Sequence, residues 1–281
     1  MYYKFMCMRL RASLPRRKND CHKGDVGKVL LLCGSEGYTG AAALASMGAL
    51  RSGVGLVYLG VPRAIYQIEA VKLNEPVVFP LSDKNGKMAE DAIEQIDKIL
   101  TKVDAVLIGP GIGISEETEK VVCYVLEHFE GPVVLDADGI TVMQMHKDIL
   151  RDRAGQTVIT PHEGEFSRFT GEGIVDRRKS AVDLAKQLNI TVVLKGHRTV
   201  VTNGDDVYVN MTGNPGMAVG GCGDVLAGII VSLIGQGMPL FKAAAYGVWL
   251  HGAAGDLCAR KLGKYGMLPT DMINVLPRLM K

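Results

Sequence analysis

A single carboxylate, Asp224, follows Gly220, Gly221 and Gly223 in "GNPGMAVGGCGDVLAG" (213–228) and stands just before an apolar run. Glycine lets a backbone turn tightly and lets a ligand approach its N–H groups. The apolar run predicts a helix beginning near Asp224. A helix N-terminus offers unpaired N–H groups and the positive end of the helix dipole, which together make an anion site. A carboxylate beside a bound phosphate can take the proton of a hydroxyl that attacks it. The residues alone leave a second reading open, in which Asp224 is only an N-cap.

Four other polar or glycine clusters follow short apolar runs: "GSEGYTGA", "GPGIG", "TPHEGE" and "KGHRT". In an open parallel sheet, ligands bind outside the carboxyl ends of the strands. Such ends, gathered together, would line one crevice. The strands that must position them are "KVLLLCG" (28–34), "GLVYLGV" (55–61), "AVLIGPG" (105–111), "PVVLDAD" (132–138), "TVITPH" (157–162) and "TVVLKG" (191–196). Their continuous apolar character suits strands buried on both faces.

Helical patterns alternate with them. "GAAALASMGALRSG" is Ala-rich and ends at glycine, and "SEETEKVVCYVLEHF" opens on Ser115 and an acidic first turn. In "DRRKSAVDLAKQLN" the apolar residues 181, 182, 184, 185 and 188 share a face. "DVLAGIIVSLIGQG" and "LFKAAAYGVWLHGAAGDLCARKLG" read as two apolar helices. Alternation of this kind predicts a three-layer α/β/α fold around a largely parallel sheet. Asn203-Gly204, between two β-rich runs, predicts an antiparallel edge hairpin. No linker or repeat interrupts the pattern, so one domain over 1–281 is expected, with 1–13 as an N-terminal extension.

Composition excludes several function classes. The 281 residues carry 32 Lys and Arg against 30 Asp and Glu, a formal net charge of +2, which gives no electrostatic basis for binding nucleic acid or an anionic membrane. Six scattered cysteines without a CxxC pair read as reduced thiols of a cytoplasmic protein. The first residues, "MYYKFMCMRLRASLPRRK", lack the unbroken apolar core of a signal peptide, and Arg51 interrupts the one membrane-like stretch, 41–62.

The chain resembles the nucleotide-dependent NAD(P)H-hydrate dehydratases, a branch of the ribokinase-like superfamily. The resemblance runs from about Leu14 to Pro277 and rests on "GNPGMAVGGCGDVLAG", "DAVLIGPGIG", "PVVLDADGI", "VITPHEGEFSRFTG" and "VVLKGHRTVVTNGDDVYVN", in that family's order, with "CHKGDVG" ahead of them. It implies a ribokinase-like fold and repair of a damaged cofactor. ADP or ATP would phosphorylate the hydroxyl of hydrated NADH or NADPH (NADHX, NADPHX), and loss of phosphate would restore the ring. The resemblance implies action on the S epimer, a homotetramer, and reliance on a separate epimerase.

Position by position, the resemblance makes Asp224 the base that meets the hydrate hydroxyl and Gly223 a glycine at the nucleotide phosphates. Lys195, Gly196, His197, Arg198 and Thr199 match the segment that contacts the nucleotide, with no chemistry assigned to the side chains of His197 and Arg198. Ala41, Gly113 and His162 match positions that contact the hydrate. Asp136 and Asp138 could help hold Mg2+, and fit loop capping equally well. Lys23 and Gly24 match a motif with no evident mechanism. The sequence departs from the family at Val219 and Cys222, where Thr and Ser are common, at Cys21, where Ser is usual, and at Gly139-Ile140, where Ala-Leu is usual. A vitamin-precursor kinase of the same superfamily would use the same glycine loop and Asp224, but "TPHEGE" and "GNPGMA" favour the dehydratase. A non-enzymatic nucleotide-binding module would not need a base.

Overall fold

The computed structural model describes residues 14–153 and 155–280; the expected extension 1–13 lies outside them. The strands are β1 (Lys28–Leu32), β2 (Leu56–Pro62), β3 (Val77–Leu81), β4 (Asp83–Lys84), β5 (Lys87–Met88), β6 (Ala105–Ile108), β7 (Val133–Leu135), β8 (Thr157–Ile159), β9 (Thr191–Leu194), β10 (Val200–Thr202) and β11 (Val207–Val209). The α-helices are α1 (Thr39–Arg51), α2 (Arg63–Lys72), α3 (Ile93–Leu100), α4 (Glu116–His128), α5 (Asp138–Val142), α6 (Lys147–Asp152), α7 (Glu163–Thr170), α8 (Arg177–Leu188), α9 (Cys222–Gly235), α10 (Leu240–Leu262) and α11 (Pro269–Leu279).

Among the described residues nine strands form one sheet in the order β11-β10-β9-β8-β7-β6-β1-β2-β3. From β9 to β3 every neighbour is parallel, and β10 and β11 close the edge antiparallel. The expected hairpin at Asn203-Gly204 is this edge. Alternate strand residues feed opposite cores, as the pleat requires. Leu31, Leu107, Val134 and Val193 pack with α1, α9, α10 and α11, while Leu30, Val106, Leu135 and Val192 pack with α3, α4, α7 and α8. Burial on both faces explains why the strands read as unbroken apolar runs.

Helix composition follows from these neighbours. α1 and α9 cross so closely that a Cβ on Gly228 would stand 2.1 Å from the Ala45 carbonyl oxygen, and one on Gly48 would stand 2.8 Å from that of Val225. Gly48 in α1 is therefore a packing residue. α4 begins at Ser115 as expected, with a capping box to Thr118. α8 is capped by Asp176 and ends at Asn189 in the left-handed region. α10 has Ala243, Ala244, Ala245, Tyr246, Leu250 and Ala254 buried within the chain itself. Among the described residues no helix is long and apolar enough to cross a membrane.

Candidate active site

The chain leaves β1 to build β2 and β3 on one side, then crosses to β6 and continues to β9 on the other. The loops after β1 and β6 leave the sheet at this reversal, where a ligand site is expected. Gly34 N–H donates to the Pro110 carbonyl at 2.8 Å and Ser35 Oγ to that of Gly111 at 2.7 Å, fixing the two loops side by side. Ala41 stands at this reversal, its Cβ 3.0 Å from where a Cβ on Gly111 would be. Gly113 is held by its N–H to Asp138 Oδ2 (2.9 Å) and its carbonyl to Thr118 Oγ1 (2.9 Å).

The glycine loop leads into α9 through Gly221, the N-cap residue, at φ 95°. A Cβ there would also strike Leu44 at 2.4 Å, so only glycine serves. Among the described residues no side chain caps this N-terminus; the Cys222 N–H turns to the Val219 carbonyl at 3.4 Å, and the next N–H groups of the first turn have no side-chain acceptor. Asp224 is therefore the third helical residue and not the cap: the left-handed turn at Gly221 starts the helix earlier than the sequence suggested. No protein hydrogen bond reaches the Asp224 carboxylate among the described residues. Burial first, and then the charge of Asp136, push its pKa from 3.8 up to about 7, against the pull of Lys195.

Lys195 lies at the centre of the charges. Its Nζ donates to Asp136 Oδ1 at 2.7 Å and stands 3.7 Å from Glu165 Oε2. It is also the nearest atom, at 3.5 Å, to the point where a Cβ on Gly223 would sit. Burial works against the charge on Lys195, yet Asp136, Glu165 and Asp224 hold its pKa above the ordinary lysine value. Asp136 is 1% exposed and also accepts from Thr160 Oγ1 at 2.6 Å. Ala137, between Asp136 and Asp138, sits at φ 48°, ψ −118°, strain of about 1–3 kcal/mol for a residue with a Cβ. That conformation separates the two acids. One turns to Lys195, the other to Gly113.

The segment Lys195–Thr199 folds back on itself. Thr199 Oγ1 donates to the Gly196 carbonyl at 3.0 Å, and His197 and Arg198 are exposed. Arg177 supports it from below, donating to the carbonyls of Leu194 and Lys195 (3.0 and 3.1 Å) and pairing with Glu163. His162 is the N-cap of α7: its Nδ1 accepts from Glu165 N–H at 3.1 Å, and Glu165 Oε2 accepts from His162 N–H at 2.8 Å. The ring is therefore a structural cap with the remaining nitrogen, Nε2, 3.5 Å from Glu165 Oε1, and its side chain is 54% exposed.

The family model described as NAD(P)H-hydrate dehydratase matches residues 29–278. The ADP-dependent (S)-NAD(P)H-hydrate dehydratase of Listeria monocytogenes is 32% identical over 282 residues, spanning 99% of this chain and 95% of its own. The chain belongs to the NAD(P)H-hydrate dehydratase family. The bifunctional NAD(P)H-hydrate repair enzyme Nnr of Thermofilum pendens is 39% identical over 95% of this chain, which spans 52% of that protein. The chain thus covers about half the length of such relatives. The crystal structure of the ADP/ATP-dependent NAD(P)H-hydrate dehydratase from Bacillus subtilis, co-crystallized with ATP/Mg2+, superposes with a TM-score of 0.80 at 30% identity, over 97% of this chain and 95% of that one.

Family membership leaves some matched residues far from the crevice. Lys23 and Gly24 lie in the lead-in to β1, at the opposite end of the sheet. The Lys23 carbonyl would be 2.0 Å from a Cβ on Gly55, and a Cβ on Gly27 would stand 2.2 Å from the Gly235 carbonyl oxygen at the end of α9. This motif plugs the base of the fold. Cys222 is buried against Met272, its Sγ 3.9 Å from Sδ, and burial pushes its thiol up to about 11, so it is no nucleophile. Gly139 packs where a Cβ would stand 2.7 Å from the Ile108 carbonyl oxygen. Val219 is exposed. Cys21 is half-buried in the same lead-in as Lys23.

Sequence reasoning assigned no role to Glu165, Thr160 or Arg177. Glu165 was legible as the third residue after His162, a capping-box spacing. The other two depend on chain crossings that spacing does not encode. Glu116-Glu117 does more than favour a helix start, since Glu117 accepts from Lys84 Nζ (2.7 Å) and from the Glu90 N–H (2.8 Å). Among the described residues no group of three or more His, Cys, Asp and Glu is disposed to hold a metal. Asp136, whose Oδ2 is 3.9 Å from where a Cβ on Gly223 would sit, still fits Mg2+ carried in on a nucleotide, which needs only one or two carboxylates beside phosphates and water.

Proposed function

We propose that the chain catalyses nucleotide-dependent dehydration of the S epimer of NADHX and NADPHX, restoring NADH and NADPH. The observation that carries this reading is the pairing of an uncapped helix mouth with an unbonded carboxylate of pKa about 7 beside Lys195. The nucleotide phosphates rest on the N–H groups at Gly223 and against Lys195, with Gly196, His197, Arg198 and Thr199 along the nucleotide. The hydrate lies by Ala41, Gly113 and His162. Asp224 takes the proton of the hydrate hydroxyl as its oxygen bonds to the terminal phosphorus and the phosphoanhydride bond breaks. The carbon–oxygen bond of the phosphorylated hydrate then breaks, phosphate departs as a far better leaving group than hydroxide, and loss of a proton from the neighbouring ring carbon restores the double bond. A base near neutrality suits that proton transfer.

ADP is the nucleotide named for the Listeria relative, and ATP and Mg2+ accompany the Bacillus structure. Mg2+, when bound, neutralises charge on the transferring phosphoryl group. Asp136, beside Gly223, is the carboxylate that would hold it. The two-part relatives support a functional link to an epimerase that interconverts the hydrate epimers. We take residues 1–281 as one domain of a cytoplasmic homotetramer.

Incubation of the protein with the S hydrate and ADP or ATP should regenerate the absorbance of reduced nicotinamide, with phosphate released in equal amount. No recovery with either nucleotide, beside an active relative as control, would falsify the reading.

A further inference from the structure

α10 grips the start of the glycine loop and lies against its other end. At the loop's start, Asp256 Oδ2 accepts from the Gly213 N–H at 3.0 Å, and Oδ1 accepts from Asn214 Nδ2 at 3.1 Å. Asn214 Oδ1 in turn accepts from the Gly216 N–H at 3.0 Å and caps the short 3-10 turn Pro215–Met217. The helix comes close enough for this because it carries no side chains at two positions. A Cβ on Gly252 would stand 2.3 Å from Thr212 Oγ1, and one on Gly255 would stand 2.3 Å from Met217 Sδ. At the loop's other end the same face presents His251, 8% exposed, with its Nε2 unpartnered among the described residues. Burial drives the His251 pKa down to about 4, with the Cys222 main chain opposing that shift, so a neutral ring lies against the first residue of α9.

Loops that bind phosphate through main-chain N–H groups work when those groups are aimed before the ligand arrives. A glycine-rich segment cannot aim itself, because glycine restricts its own backbone least. We propose that Asp256 is a positioning residue for the nucleotide site: through Gly213 and Asn214 it fixes the loop whose far end carries Gly223 and Asp224. The inference rests on the phosphate-binding reading of that helix mouth. It assigns Asp256 no contact with nucleotide or hydrate.

The test is direct binding of ADP, by calorimetry, to the full chain and to two variants. Asp256→Asn weakens the grip at Gly213 and sets an amide against the Asn214 amide. Asn214→Ser keeps an oxygen able to cap the turn but removes the Nδ2 donor. Each variant should bind ADP about tenfold more weakly, and the double variant should lose less than the product of the two. Melting temperature separates positioning from bulk stability. ADP affinity within twofold of wild type in a folded Asn214→Ser protein would overturn the inference, whatever happens to melting. Hydrate turnover by the wild type is followed separately. If turnover fails while the ADP effects appear, the dehydratase reading falls and the positioning role stands.

Discussion

Lys195 faces three carboxylates, and the surplus negative charge falls on the one with the fewest partners. Asp136 has Lys195 and Thr160, and Glu165 has the His162 N–H, whereas the Asp224 carboxylate has no hydrogen bond among the described residues. Its pKa of about 7 follows from burial and from Asp136. Two consequences share a sign argument. Between its ordinary 3.8 and about 7, the folded protein keeps a proton on Asp224 that the unfolded chain has released. Stability from this group therefore falls as pH rises through that window, and the cost is complete above it. Asp224→Asn should melt a few degrees above wild type at about pH 8, with the gain vanishing near pH 4, by scanning calorimetry. In the wild type, kcat/KM should climb with pH through about 7 as the base loses its proton. Asp224 and Lys195 were legible in the sequence because each sits in a dense motif. The tie from Lys195 to Asp136 was not, since it joins residues 59 apart in the chain.

The elements that hold these residues are rigid where helices cross without side chains. α9 carries Asp224 in its first turn and meets α1 through Gly228 and Gly48, four residues and more from the site. Gly228→Ala would press a methyl on the Ala45 carbonyl, with backbone on both sides and no side chain to yield. Such overpacking costs about 1–3 kcal/mol, and the fall in unfolding midpoint by urea titration checks it. The same substitution tilts α9, so turnover should fall as well. The parallel strands were readable as apolar runs, and the helix ends at Ser115 and Asn189 as cap residues. The outer strand β3 was not: its residues 77–81 are all apolar, but Pro80 lies within the run, which argues against an interior strand, and only Leu81 is buried, as suits the edge. The small β4–β5 hairpin had a signal in Asn85-Gly86, both at positive φ. Its strands, two residues each, are too short to show a pattern on either side of that dipeptide.

On the scale of the whole molecule, every residue assigned to the nucleotide or the hydrate lies at the carboxyl ends of the sheet. The lead-in with Lys23 and Gly24 closes the other end. That division was only half readable, because a motif in sequence carries no address in the fold. A ligand seated across loops from β1, β6, β8, β9 and α9 couples elements far apart in the chain, so it should stabilise the protein as a unit. ADP at a hundred times its dissociation constant should add about 2.7 kcal/mol, read as one cooperative unfolding transition shifted upward. The central claim is that a phosphoryl group rests at the mouth of α9 while Asp224, alongside, takes a proton. ADP binding and hydrate turnover, measured side by side on Asp224→Asn, test it most directly. The expected result is ADP affinity within about threefold of wild type and turnover lower by about 10²–10⁴. Turnover close to wild type would contradict the account.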